Sequence, residues 1–145
     1  MGQVDAQGRT RDELLKEIGR NILSDVSYRD GGWRAVSLIY TFQPGVQSTD
    51  GFVYPDDPEG RPYPELPEDK KYEISDTVEE LREVMSRETG SAWQQMLYQI
   101  WMPGPDVAAT FEYDRPDRWS LRGYSVDGVS SFAEQVDPAR GRAGG

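Results

Sequence analysis

Two carboxylates in the C-terminal half of the chain have the spacing best suited to chemistry. Glu112 and Asp114 lie two residues apart in the alternating pattern of a predicted strand. Because alternate residues of a strand point to the same face, the two carboxylates would lie roughly 6–7 Å apart. Such a pair can perform acid–base catalysis or hold a hard cation. Arg115 and Arg118 are close enough to neutralise both acids, and a structural ion pair is the interpretation that we favour.

The absence of two residue types removes most other catalytic chemistry. The chain contains no histidine and no cysteine. Disulfides, thiolate nucleophiles, imidazole bases and Cys/His zinc sites are therefore excluded. No glycine-rich phosphate loop and no GxSxG or calcium-loop motif occurs. We predict no catalytic residue, no metal and no cofactor, and we expect a protein that is not an enzyme.

Negative charge is concentrated in one part of the chain. The segment from Asp50 to Glu80 carries eleven carboxylates and three cations, a net charge of -8 out of -10 for all 145 residues. Such a field repels phosphate backbones and attracts basic surfaces. We therefore expect a basic protein as partner, and neither nucleic acid nor a membrane. An acidic loop that only promotes solubility is the alternative.

Length and composition predict one globular domain. A chain of 145 residues usually forms one core, and its 16 aromatic residues can supply the buried area. We expect a single α+β domain over 10–136, with an antiparallel β-sheet and helices packed against it. A flexible N-terminus would span 1–9 and a disordered tail 137–145. Since the longest apolar run is far too short to cross a bilayer, we expect a cytoplasmic protein.

Periodicity and capping signals predict two helices. Thr10 and Glu13 have the spacing of a capping box, and apolar residues then recur at helical spacing over 10–26. A second capping pair, Asp76 with Glu79, predicts a helix over 76–88 that ends before Gly90.

Alternating apolar residues predict four strands, over 33–43, 46–54, 93–102 and 107–114. The first two would form a hairpin around Pro44 and Gly45, and the last two a second hairpin around the turn at 103–106. The first strand would bury the face that carries Val36, Leu38 and Tyr40. The third has large residues on both faces and is expected to be central. We expect Trp93 and Phe111 to lie in the core of the sheet.

A proline-rich acidic loop is predicted over 55–70. Five prolines fall between Pro55 and Pro67, which excludes a helix or a central strand there. Long loops in compact domains are often functional. Tyr63 lies among the carboxylates, where it either forms part of a contact surface or attaches the loop to the core.

The order of motifs in the second half supports a family resemblance. A helix is followed by Trp93 and alternating apolar residues, then by Gly104, by the run Phe111-Glu112-Tyr113-Asp114 and by Trp119. This order is similar to that of the YezG-like immunity proteins of bacterial polymorphic toxin systems, and roughly 10–119 would be covered. The resemblance implies an α+β fold with an antiparallel sheet. It also implies a non-enzymatic role, in which the protein binds a cognate toxin domain and occludes its active site.

Charge and resemblance together predict the contact residues. The toxin would be a nuclease or an NAD-degrading enzyme, since the cleft of such an enzyme is electropositive. We expect two groups of contacts: Asp56, Asp57, Glu59 and Tyr63 in the loop, and Glu112, Asp114 and Asp117 near the second hairpin. Two alternatives stay open. One is a small hydrolase or metal-dependent enzyme that uses Glu112 and Asp114, and the other is a structural or adaptor domain.

Overall fold

The computed structural model describes residues 9–115, 118–119, 133 and 136–138. The described part contains two helices and one antiparallel sheet, which confirms the predicted α+β class. The elements are α1 (Arg11–Ser24), β1 (Trp33–Gln43), β2 (Val46–Pro55), β3 (Tyr63–Pro64), α2 (Lys71–Thr89), β4 (Gln95–Trp101) and β5 (Asp106–Glu112).

The chain forms two compact units, each built from separate segments. The helical unit comprises the chain up to Asp30 together with Pro67–Trp93, and it contains α1 and α2. The sheet unit comprises Gly31–Leu66 and the chain from Gln94 onwards, and it contains all five strands.

Helix α1 begins where the sequence predicts. The Glu13 N–H donates to the Thr10 hydroxyl (3.2 Å), and the Thr10 N–H donates to the Glu13 carboxylate (2.9 Å). This reciprocal pair satisfies two of the amides that a helix start leaves open. Arg9, which falls in the predicted flexible N-terminus, forms ion pairs with Glu17 of α1 and Glu80 of α2.

Helix α2 begins five residues before the predicted start, so the proposed capping pair at Asp76 is wrong. Its N-cap residue, Lys70, makes no side-chain capping bond. Instead the buried carboxylate of Asp25 accepts from the N–H groups of Lys70 (2.8 Å) and Glu68 (2.9 Å). The start of α2 is thus positioned by a carboxylate distant in sequence. Its end is as predicted, because Gly90 adopts the left-handed conformation with φ 84°.

The sheet has the order β3-β2-β1-β4-β5, and all neighbouring strands are antiparallel. Strands β1 and β2 form the predicted hairpin through Pro44 and Gly45, whose φ of 75° suits glycine. The prediction that the strand over 93–102 is central is confirmed, since β4 lies between β1 and β5. This strand begins at Gln95, however, so Trp93 is not part of the sheet as expected and is buried as a residue of the helical unit.

Burial of β1 exceeds the sequence prediction. Besides Val36, Leu38 and Tyr40, the opposite face with Ala35 and Ile39 is also buried. That second face is buried because residues distant in sequence form one apolar cluster with it. The cluster includes Leu97, Trp119, Ala133 and Val136.

The edges of the sheet differ from prediction in two ways. The proline-rich loop contributes a two-residue edge strand, β3, which pairs with β2 through Tyr63 opposite Val53. At the other edge Phe111 of β5 is only half-buried, so its expected core position is wrong. An edge strand has a neighbour on one side only, which leaves its side chains less covered.

Close approach of the loop to β2 depends on Gly51. A Cβ at this position would lie 2.5 Å from the carbonyl oxygen of Glu65 and 2.5 Å from Leu38. We expect Gly51→Ala to push the loop away from β2 and to lower the free energy of unfolding by about 1–3 kcal/mol. Urea unfolding of this variant would measure the loss. Unchanged stability would show that the loop can move away from β2 without a cost in free energy.

Candidate functional site

The first half of the proline-rich loop displays three carboxylates from an ordered turn. Asp56, Asp57 and Glu59 are all exposed. The Glu59 N–H donates to the Asp57 carboxylate (2.9 Å), and the Gly60 N–H donates to the Asp57 carbonyl (2.9 Å). Hydrogen bonds therefore hold this turn in shape while the carboxylates of Asp56 and Glu59 face solvent.

Two large apolar side chains are exposed in the second half of the same loop. Tyr63 is 46% exposed and Leu66 is 47% exposed. Of the two roles considered for Tyr63, its exposure favours a contact surface over attachment to the core. Exposed apolar groups close to charged ones are typical of protein-binding surfaces.

The second group of predicted contacts has a structural role at its centre. The Glu112 carboxylate accepts from the N–H groups of Asp114 (3.0 Å) and Arg115 (3.2 Å) and from the Arg118 guanidinium (2.9 Å). The backbone donor of Asp114, then Arg118 and Arg115, lower the pKa of Glu112. This geometry favours the structural ion pair over the catalytic pair.

The expected carboxylate pair on one face of a strand is not formed. Strand β5 ends at Glu112, and Asp114 lies in the following bend, where it is exposed. The prediction was wrong because a strand was assumed to continue to residue 114. Asp117, the third member of this group, lies outside the described residues.

The two groups of predicted contacts lie at opposite corners of the sheet. Tyr63 pairs with Val53 at the β3 edge, whereas Glu112 lies on the β5 edge in the row of Thr41 and Ser48. Four strand spacings separate the two edges, which is roughly 19 Å, and five residues along the strands add roughly 17 Å. The structure therefore does not bring the two groups together in one compact site.

The turn between β4 and β5 lies at the same end of the sheet as the acidic loop. In the register, Asp106 pairs with Trp101, which is beside Ala35, which in turn is beside Tyr54, two residues before Asp56. Met102 and Val107, in and after this turn, are 38% and 46% exposed.

We call this region the acidic end of the sheet. It extends from the β3 edge to the β5 edge, and the adjacent residues Asp106 and Val107 point to opposite faces. It consists of Asp56, Asp57, Glu59, Tyr63, Met102, Asp106 and Val107. The sequence analysis missed the last three residues. Their place at this end depends on the pairing of β1 with β4, in which Ala35 lies opposite Trp101, and no local signal in the sequence reveals that pairing.

Buried polar groups on one sheet face serve the fold. The Gln95 side chain donates to the Trp119 carbonyl (3.0 Å) and accepts from the Trp119 N–H (2.9 Å). Similarly, Gln99 and Ser37 both donate to the Val136 carbonyl (2.7 Å each). The polar atoms of these side chains bond to backbone groups of the same chain, so they hold Trp119 and Val136 in place.

Arg34 makes a further contact of this kind at the C-terminal end of the described chain. Its guanidinium donates to both carboxylate oxygens of Asp137, at 2.9 and 2.6 Å. This bidentate pair raises the pKa of Arg34. Asp137 falls in the predicted disordered tail, and residues 139–145 lie outside the described residues.

Among the described residues, no group of three or more acidic, histidine or cysteine side chains could hold a metal ion. Within the same part of the chain, no helix combines the length and the apolar character needed to cross a bilayer.

A scan against protein-family models finds no match for this chain, and a search of curated proteins finds none either. The resemblance to the YezG-like immunity proteins therefore stays a prediction.

Proposed function

We propose that this protein is a cytoplasmic immunity protein that binds a basic bacterial toxin domain and blocks the toxin's active site. The observation that carries the proposal is the acidic end of the sheet, because exposed carboxylates and exposed apolar side chains lie at this same end. The proposed toxin is a nuclease or an NAD-degrading enzyme, because enzymes that bind phosphate groups have electropositive clefts.

Charge supports this choice of partner. Between Asp50 and Leu66 the sheet unit carries five carboxylates and a single cation, Arg61. Complementary charge accelerates diffusional encounter and discourages partners of the same sign. A basic cleft is thus the surface that this end of the sheet would attract most strongly.

Contacts between apolar side chains would contribute favourable binding free energy after the first encounter. Tyr63, Met102 and Val107 are each at least 38% exposed, and burying such side chains gives favourable free energy once the charges have oriented the partners. Inhibition by occlusion needs no catalytic group on the immunity protein.

The competing enzymatic function gains no support from Glu112. Its carboxylate already accepts two backbone N–H groups and one guanidinium, so its lone pairs are engaged in shaping the turn after β5.

Association kinetics test the proposal. The probe is the toxin domain encoded directly upstream, and the variant combines Asp56→Asn, Asp57→Asn and Glu59→Gln. We expect the association rate at low salt to fall on the order of tenfold, and its dependence on salt to flatten, because the steering charges are removed. Stopped-flow measurements at several salt concentrations give both quantities.

A matched variant controls for net charge. Asp76, Glu79 and Glu83 are exposed residues of α2 in the helical unit, and their amide variants also remove three negative charges. We expect the control to change the rate much less. Equal effects of the two triple variants would remove the acidic end from the mechanism, and a wild-type protein that fails to bind the toxin domain would refute the proposed function.

A further inference from the structure

Strand β5 forms an edge of the sheet in the part of the chain that the structure describes, where β4 is its only neighbouring strand. Asp106, Val107 and Ala108 are exposed, and Ala109 is half-buried. The opposite edge differs, because β3 covers part of β2 there.

The hydrogen bonds between β1 and β4 determine which backbone N–H and C=O groups of β5 point away from the sheet. The Phe42 N–H donates to the Gln94 carbonyl and the Met102 N–H donates to the Arg34 carbonyl, both at 2.8 Å. The Gln94 N–H donates on the other side, to the Glu112 carbonyl (2.7 Å), so the regular alternation begins at Gln95. From there on, the even-numbered residues of β4 direct their backbone groups towards β1. Because this direction alternates along an antiparallel strand, odd-numbered residues of β4 bond to the even-numbered residues of β5.

The odd-numbered residues of β5, which include Val107 and Ala109, consequently direct their backbone groups away from β4. The N–H and C=O groups of Val107 and Ala109 point outwards from the edge of the sheet. The strand contains no proline and no lysine, the residues with which proteins commonly protect an edge. The small side chains of Ala108 and Ala109 also leave room for a second backbone.

Charge indicates what kind of strand fits this edge. Asp106 is exposed at one end of β5. Glu112, at the other end, is already paired with the Arg118 guanidinium and so adds little charge to the edge. Two copies of a chain with a net charge of -10 repel each other. An extended segment with a basic residue opposite Asp106 would instead be complementary.

We propose that β5 is a docking edge to which the basic toxin adds an extended segment as a sixth strand. The segment hydrogen-bonds to Val107 and Ala109 and places a basic residue opposite Asp106. This inference rests on the proposed function and deepens it, since Asp106 and Val107 also belong to the acidic end of the sheet. Strand addition gives affinity through main-chain hydrogen bonds, and side chains add specificity.

Substitution of Ala109 by proline tests the docking edge. The Ala109 N–H points away from β4, so Ala109→Pro removes an outward donor and no hydrogen bond within the sheet. With the upstream-encoded toxin domain as probe, we expect at least tenfold weaker binding by calorimetry, while Ala109→Ser, which keeps the N–H, binds as the wild type does. Equal affinity of wild type and Ala109→Pro would overturn the docking edge and leave the proposed function intact.

Hydrogen exchange provides a second readout that needs no variant to fold. In the wild-type complex we expect the amide protons of Val107 and Ala109 to be protected relative to the free protein. Unprotected amides in a stable complex would overturn the proposal. A dimer of the protein alone that Ala109→Pro converts to a monomer would show that a second copy occupies the edge, which also overturns it. Failure of the wild type to bind the toxin domain would instead refute the proposed function.

Discussion

Replacing Trp93 by alanine is expected to lower the free energy of unfolding by about 3–5 kcal/mol, the usual cost of truncating a large buried aromatic side chain. The Trp93 side chain is fully buried, and the Arg82 guanidinium lies 5.8 Å from the centre of its ring. Arg82 also donates to the Trp93 carbonyl (2.6 Å). Truncation therefore leaves a cavity and removes a cation–π contact. Urea unfolding followed by circular dichroism measures the loss.

Phe111→Ala is the matched comparison for Trp93→Ala. Phe111 is half-buried on the edge strand β5, so we expect a smaller loss of about 1–2 kcal/mol. A loss for Phe111→Ala equal to that for Trp93→Ala would contradict the difference in burial between the two side chains.

Replacing Asp25 by alanine is expected to lower the free energy of unfolding about as much as Trp93→Ala does. The Asp25 carboxylate is fully buried and accepts from the N–H groups of Ser27, Glu68 and Lys70 at 2.8 to 3.0 Å. The substitution would leave three amide donors without this acceptor, and we expect a loss of about 3–5 kcal/mol at neutral pH. Asp30→Ala, at an exposed position, is the control and should change stability by less than about 0.5 kcal/mol.

The stabilisation by Asp25 should depend on pH in a defined direction. Burial opposes ionisation of this carboxyl, but the N–H donors outweigh it and the pKa lies below the ordinary 3.8. Because the folded-state pKa is lowered, the stabilisation is fully present above the unfolded-state pKa of about 3.9 and is lost as the pH falls through the folded-state value. The stability gap between wild type and Asp25→Ala should thus narrow below pH of about 4. A gap that stays constant down to pH of about 2 would contradict this linkage.

Local signals in the sequence were sufficient to predict where a helix or a hairpin begins or ends when neighbouring residues determine that limit. The start of α1 is determined by Thr10 and Glu13, three residues apart, and the β1–β2 hairpin by the turn at Pro44 and Gly45. Helix α2 ends at Gly90 because glycine adopts the left-handed conformation without strain. The α+β class followed from the spacing of apolar residues within each helix and strand. That spacing involves only the residues of one element.

The tertiary structure alone decided the features that join distant segments. The start of α2 depends on Asp25, which lies 45 residues before Lys70, and no local pattern reveals that contact. Burial of the second face of β1 likewise depends on Trp119 and Val136. Strand register separated Glu112 from the acidic loop and placed Asp106 near it, because positions across a sheet are set by pairing rather than by distance along the chain.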